Sequence, residues 1–222
     1  MDKASLVVLI SGSGSNLQAI IDAIKNKQLN AQIAAVISNQ AEAKGLERAA
    51  RENITTHVID HKHYPSRELF DQAMIQIIDP LKPDLIILAG FMRILSNHFI
   101  EHYRHLLINI HPSLLPKYKG LNTHQKAIEN RDKLHGASVH YVDIELDSGP
   151  VVIQTEVPVH ATDTAETLAK RVLNEEHKIY PLAIKLHIEG RITFDNNQLM
   201  LDSHVLTKPL LWKNDQLTEQ DM

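Results

Sequence analysis

Short runs of consecutive apolar residues alternate with amphipathic stretches through the first half of the chain. The runs are Leu6–Ile10, Ile33–Ile37, Thr55–Ile59, Leu85–Leu88 and Leu106–Ile110. Apolarity on neighbouring positions, rather than every second one, marks strands buried on both faces, as in a parallel sheet covered by helices. Between them, Asn16–Lys27, Glu42–Asn53, Arg67–Asp79 and Asn97–Tyr103 carry the spacing of amphipathic helices. Strand and helix in alternation predict βαβ units and an α/β fold, with an open, mostly parallel sheet and helices on both faces.

The pattern changes in the second half. Residues 137–142 and 151–157 alternate more regularly and flank Asp147-Ser148-Gly149-Pro150, which predicts an antiparallel hairpin added to the parallel set. A long helix follows. Asp163 with Glu166 three positions on has the spacing of a capping box, and Gly190 supplies a stop. Pro181 lies inside it and predicts a kink or break near Tyr180. Residues 191–201 have the makings of two short edge strands around Asp195-Asn196-Asn197. No internal repeat and no linker divides the chain, so the reading is one domain over 1–200 and an irregular tail over 201–222.

Composition narrows the class of partner. With 23 basic and 27 acidic residues the formal charge is −4, and the isoelectric point is 6.4. Nucleic-acid-binding domains are commonly basic, with isoelectric points above about 9, so a polyanion is not the expected partner. The chain has no cysteine, which excludes disulfides, thiolate metal sites and a cysteine nucleophile. No apolar stretch approaches the roughly 18 residues of a membrane span, and the start does not read as a signal peptide. The expectation is a cytoplasmic protein without a membrane or nucleic-acid partner, as a monomer or homodimer.

Two segments carry candidate chemistry. The first strand runs into Ser11-Gly12-Ser13-Gly14-Ser15-Asn16 and then an amphipathic helix. A glycine-rich strand-to-helix turn offers free N–H groups and the positive end of a helix dipole, a site for a phosphate. Ser11, Ser13, Ser15 and Asn16 would add donors or a cap. A dinucleotide fingerprint would need glycine where Leu17 stands, and a Walker loop would need a lysine the turn lacks. A plain tight turn with a helix cap is the alternative. The second segment is Asn109-Ile110-His111-Pro112-Ser113-Leu114-Leu115-Pro116, at the carboxyl end of the last parallel strand. Asn109 and His111 fall on one face of that strand by period, where open α/β sheets bind ligands. An imidazole can shuttle protons near neutral pH, and a carboxylate beside it would favour its charged form. Asp147 is the candidate partner, although an aspartate in such a turn is commonly a turn former. None of the other histidines has metal-ligand spacing, so no metal is expected.

The segments Gly12–Gln18, Ala89-Gly90-Phe91-Met92-Arg93-Ile94-Leu95, Asn109–Tyr118 and Leu146–Val151 resemble the folate-dependent formyltransferase family. Within it they are most similar to the phosphoribosylglycinamide formyltransferases, or glycinamide ribonucleotide transformylases, of purine biosynthesis. The resemblance runs in order from residue 5 to about residue 190. It implies a Rossmann-like formyltransferase fold and transfer of a formyl group from 10-formyltetrahydrofolate, as co-substrate, to the amine of 5-phosphoribosylglycinamide. It implies that Gly12, Ser13, Gly14, Ser15 and Asn16 hold the ribonucleotide phosphate and that Glu176 contacts the glycinamide end. It also implies that Arg67, Met92, Arg93, Ile94, Leu95 and Asn109 bind the folate and that Asn109, His111 and Asp147 are catalytic. Ser13 and Ser148 depart from the residues common in the family, asparagine and glycine.

Without the resemblance, Met92, Ile94 and Leu95 read as core packing, Arg67 as a solvated first-turn residue, and Glu176, beside Glu175, as a helix-surface charge. The rival activity is 10-formyltetrahydrofolate hydrolysis with the same trio and water as acceptor. A second rival, of another class, is a non-catalytic module that binds a phosphoribosyl ligand.

Overall fold

The computed structural model describes residues 2–195 and 198–219. They group into two compact units, Met1–Asn109 and Ile110–Met222, with the boundary inside a strand.

In the first unit, β1 (Ala4–Ile10), β2 (Ala31–Ser38), β3 (Thr56–Val58), β4 (Leu85–Leu88) and the start of β5 (Leu107–His111) lie in the order β5-β4-β1-β2-β3, all parallel. Residues Leu6 to Ile10 and Leu85 to Ile87 are fully buried, as an apolar run covered on both faces requires. The connecting helices are α1 (Ser15–Lys25), α2 (Lys44–Arg51), α3 (Arg67–Ile78) and α4 (Asn97–His102). Each predicted strand and helix of this half is present, with ends shifted by one or two residues. From β1 the chain steps outward to β2 and β3, then returns to the other side of β1 as β4. Right-handed crossovers therefore put α1 and α2 on one face and α3 on the other; accordingly α1 packs with α2, and α3 with α4. The reversal between β1 and β4 is the switch point beyond which such sheets bind ligands.

In the second unit, β6 (Leu134–Tyr141) and β7 (Val151–Pro158) form the predicted antiparallel hairpin. The helix α5 (Thr123–Glu129), which no pattern announced, precedes it, and α6 (Ala165–Ile188) packs on both strands and on α5.

Two expectations about α6 are corrected. Its N-cap is Thr164, in a reciprocal capping box with Thr167. Asp163 stands one position earlier, where its carboxylate takes both Arg171 Nη1 (2.7 Å) and Nη2 (2.5 Å). Of the kink or break expected near Tyr180, the break is not found: the helix runs through Pro181. Ile179, Tyr180, Ala183 and Ile184 are buried on either side, so packing outweighs the lost backbone bond. Gly190, at φ 69°, stops the helix as expected, with Gly190 N–H donating to His187 O and Arg191 N–H to Leu186 O.

Strands β8 (Ile192–Asp195) and β9 (Gln198–Leu201) pair antiparallel; of the turn predicted between them, Asn196 and Asn197 lie outside the described residues. The expectation of irregular chain after 201 is also corrected. There β10 (His204–Val205) pairs with β9, β11 (Leu210–Lys213) runs parallel to β7, and β12 (Gln216–Thr218) pairs with β11. Leu210 is buried in that pairing; four residues of Leu-Leu-Trp-Lys amid polar sequence are too short a signal to read as a strand.

Candidate functional site

At the switch point of the first unit, Ile10 leaves β1 and the chain turns through Ser11–Gly14 into α1. Gly14 caps α1 in the left-handed region (φ 67°), with no side-chain cap, so the expected capping role of a serine or Asn16 is not seen. A Cβ on Gly14 would lie 2.5 Å from Gly45 Cα, which makes glycine obligatory on both conformational and steric grounds. At Gly12 a Cβ would meet nothing within 4 Å, so this side of the turn is open.

Ser11 ties the turn to the segment after β4. Its N–H donates to Gly90 O (3.1 Å), and its Oγ accepts from Met92 N–H (2.7 Å) while donating to Asn39 Oδ1 (2.5 Å). Asn39 Nδ2 in turn lies 3.2 Å from His61 Nδ1. The far end of the same segment is held by Asp71, whose Oδ2 accepts from Ser96 N–H (2.5 Å). Burial pushes the Asp71 carboxyl up from its ordinary value, and the bond from Ser96 only partly opposes this. Between these anchors Met92 is 68% and Ile94 54% exposed, Arg93 is exposed, and Leu95 is buried. The core reading thus holds for Leu95 and fails for Met92 and Ile94. Arg67 is the exposed first residue of α3, and Asn109, the last residue of this unit, is half-buried in β5.

In the second unit His111 and Asp147 meet. Nδ1 of the histidine is 3.5 Å from Asp147 Oδ2, with both side chains less than 10% exposed. His111 Nε2 lies 2.8 Å from Tyr118 O. A carbonyl only accepts, so Nε2 carries the proton and Nδ1 is the atom presented to the carboxylate.

Asp147 is held at φ 48°, and Gly120 N–H donates to its Oδ2 (2.9 Å). The turn exists because Gly149 has no side chain: a Cβ there would lie 1.9 Å from Tyr141 O. Ser148, the departure from the common glycine, is exposed and donates its hydroxyl to Glu145 O, so the glycine required by packing is the one at 149.

A second histidine, His140, was not singled out from sequence. Its Nε2 is 3.7 Å from Asp147 Oδ1, while Nδ1 is 2.9 Å from Tyr141 O and so carries the proton. Burial pushes its pKa down and keeps the ring neutral. A neutral ring protonated at Nδ1 offers no proton at Nε2, so His140 gives none to Asp147. The signal for it was a histidine inside a strand otherwise buried along its length.

The loop after His111 is pinned throughout. Ser113 is fully buried, its hydroxyl given to Lys117 O (2.6 Å), which removes it as a nucleophile. Thr123 Oγ1 donates to Pro112 O, and Ser138 Oγ to Ser113 O. On α6, Glu176 is 7% exposed, whereas Glu175 pairs with Lys178 at 3.0 Å; the surface-charge reading holds for Glu175 alone.

The glycine-rich turn at the sheet switch point and the buried histidine–aspartate pair after the Asn-x-His-Pro strand end both lie within residues 4–184, which the formyl transferase family model matches. The chain belongs to the formyl transferase family. It is 52% identical over 202 residues to the phosphoribosylglycinamide formyltransferase of Escherichia coli K12, covering 91% of this chain and 95% of that one. It is 45% identical over 195 residues to the human trifunctional purine biosynthetic protein adenosine-3, spanning 88% of this chain but 19% of that protein. Among solved structures, the phosphoribosylglycinamide formyltransferase of Coxiella burnetii superposes with a TM-score of 0.89 at 50% identity, over 93% of this chain and 97% of that one. Among the described residues no helix is long and apolar enough to cross a membrane.

Proposed function

We propose that the protein transfers the formyl group of 10-formyltetrahydrofolate to the amine of 5-phosphoribosylglycinamide, a step of purine biosynthesis. The observation that carries this reading is the 52% identity to an enzyme of that name along nearly the whole of both chains. The Gly12–Asn16 turn holds the phosphate through its backbone N–H groups, and Glu176 meets the glycinamide end. Arg67 and the Met92–Leu95 segment bind the folate. The exposure of Met92 and Ile94 suits residues that wait for an apolar ligand.

The amine attacks the formyl carbon, forming a C–N bond and a tetrahedral oxyanion. Asn109 donates a hydrogen bond to that oxygen, a contribution of about 3 kcal/mol in comparable sites. His111 delivers a proton to the folate nitrogen as its bond to the formyl carbon breaks, and the proton lost by the attacking amine returns to His111, so that the enzyme ends as it began. His111 Nε2 donates to the Tyr118 carbonyl; the reading requires it to exchange that partner for substrate while Nδ1 faces Asp147. No covalent enzyme intermediate and no metal take part.

The test incubates the purified chain with 10-formyltetrahydrofolate, with and without 5-phosphoribosylglycinamide, and follows both tetrahydrofolate release and the mass of the ribonucleotide. Release that depends on the ribonucleotide and adds one formyl group to it is the expected result. Equal release without it would replace this reading by hydrolysis, and binding of both compounds without release would leave a non-catalytic module.

A further inference from the structure

The phosphate turn is not self-supporting; it is held by the neighbouring helix. Two carbonyls of the turn are directed at α2: Gly45 N–H donates to Gly12 O (3.0 Å), and Arg48 Nε donates to Ser13 O (2.9 Å). In a trans peptide the carbonyl of one residue and the N–H of the next point in opposite directions, and the only cis bond among the described residues is Leu115–Pro116. Fixing Gly12 O and Ser13 O against α2 therefore turns the N–H groups of Ser13 and Gly14 away from α2. Among the described residues those two N–H groups have no acceptor. Glycine at 14 permits this turn, and the contact with α2 orients it.

The contact is built to close tolerance. A Cβ on Gly45 would lie 2.5 Å from Ile10 Cδ1 and 3.2 Å from Gly14 Cα, so α2 approaches the turn backbone to backbone. Arg48 reaches round the contact with its long side chain. Its Nη1 donates to Gln18 Oε1 (3.2 Å), and Gln18 Nε2 to Asp22 Oδ1 (2.9 Å), which fixes the plane of the guanidinium against α1. Among the described residues no carboxylate lies within ion-pair distance of Arg48, so its charge is not cancelled locally.

We propose that Arg48 is a positioning residue for phosphate recognition: by holding the Ser13 carbonyl it presets the N–H groups that receive a phosphate monoester, and with Gly45 it makes α2 part of the substrate site. This rests on the proposed function for the identity of the ligand but not for its chemical class. Loss of the Arg48 bond lets the Ser13 peptide rotate and spoil the donor array. The cost falls on binding of the phosphorylated substrate, not on the formyl-transfer step.

The test compares wild type with Arg48→Met and Arg48→Lys. For Arg48→Met, KM for 5-phosphoribosylglycinamide should rise about 10- to 100-fold, the range for losing a charge-assisted hydrogen bond. kcat at saturation should change less than about threefold, with KM for 10-formyltetrahydrofolate unchanged. Arg48→Lys should rescue little, because an ammonium cannot serve Ser13 O and Gln18 in one fixed plane; full rescue would show that charge alone acts and would overturn the positioning role. Binding of ribose 5-phosphate against ribose, measured by calorimetry, supplies the readout independent of formyl transfer. Wild type should prefer the phosphate and Arg48→Met should lose that preference without a change in melting temperature. Preserved preference in Arg48→Met overturns the proposal. A wild type that prefers the phosphate through Arg48 yet transfers no formyl group would leave this inference standing and remove the reading of function.

Discussion

Asp147 accepts from Gly120 N–H at 2.9 Å and is faced by His111 Nδ1 at 3.5 Å and His140 Nε2 at 3.7 Å. With His140 held neutral by burial, the carboxylate's effect on proton movement is directed at His111. Accordingly His111→Ala should reduce turnover at least about 100-fold, the low end for lost general acid–base catalysis. Asp147→Asn should lower the rate and also displace the pH–rate profile, since it removes the charge facing Nδ1. A profile of unchanged shape in that variant would take Asp147 out of the proton path. Asp71 makes a prediction of the opposite kind. Its folded-state pKa is raised by burial, so the folded protein holds this proton more tightly than the unfolded chain. Its stabilising effect is present at low pH and is lost as pH rises through the raised value. Asp71→Asn keeps an acceptor for Ser96 N–H and removes the buried charge. The gain in melting temperature over wild type should be larger at pH 7 than at pH 4, and an equal or larger gain at pH 4 would contradict the argument. His111 and Asp147 were legible because a strand end and a tight turn announce themselves locally. Ser11 was read as a donor or cap of its own turn, yet its partners, like that of Asp71, lie 25 or more residues away, and neither they nor the pairing of the mid-strand His140 with Asp147 across the turn leaves a local mark in the sequence.

The elements of the first unit were legible nearly to their ends, since doubly covered strands leave uninterrupted apolar runs such as Leu6–Ile10 and Leu85–Leu88. What misled were positions where local rules compete. At the start of α6 both Asp163 and Thr164 are good caps, and position three after each offers a plausible partner, Glu166 or Thr167. The structure assigns the cap to Thr164 because Asp163 is drawn into the bidentate pair with Arg171, whose guanidinium holds the Asp163 carboxyl well below the usual carboxylate range. Thr164→Ala should therefore cost about 1 kcal/mol, a fall of about 2–4 °C in melting temperature for a chain of this size. Glu166→Ala, aimed at the cap that the spacing alone suggested, should cost less, because Glu166 makes only an exposed pair with Lys170. Thermal unfolding of the two variants side by side decides the register of the cap. Pro181 illustrates the other limit: the ring penalty is a local quantity, whereas the buried faces that hold α6 together on β6 and β7 are set by strands some 25 to 45 residues upstream.

At the scale of the whole molecule, the family match ends at residue 184, yet the last strands complete the sheet of the second unit. β11 lies parallel to β7 through Leu210↔Ile153, Leu211↔Gln154 and Trp212↔Thr155, and β12 covers its other side. Ile153 and Thr155 are buried, so β7 without β11 would present an apolar open edge, the form most prone to pairing between molecules. Burial of Leu210 alone contributes about 2–3 kcal/mol. A chain stopped after Lys208 should melt at least about 4 °C lower and scatter light on warming before the full chain does. The same dependence can be read in the intact protein, because its single tryptophan is Trp212 on β11. If β11 belongs to the cooperative core, urea unfolding followed by Trp212 fluorescence should coincide with loss of far-ultraviolet circular dichroism. A fluorescence transition well ahead of the dichroism, together with a truncated chain as stable as the full one, would mean that the sheet is complete at β7 and that the strands after residue 208 are an appendage.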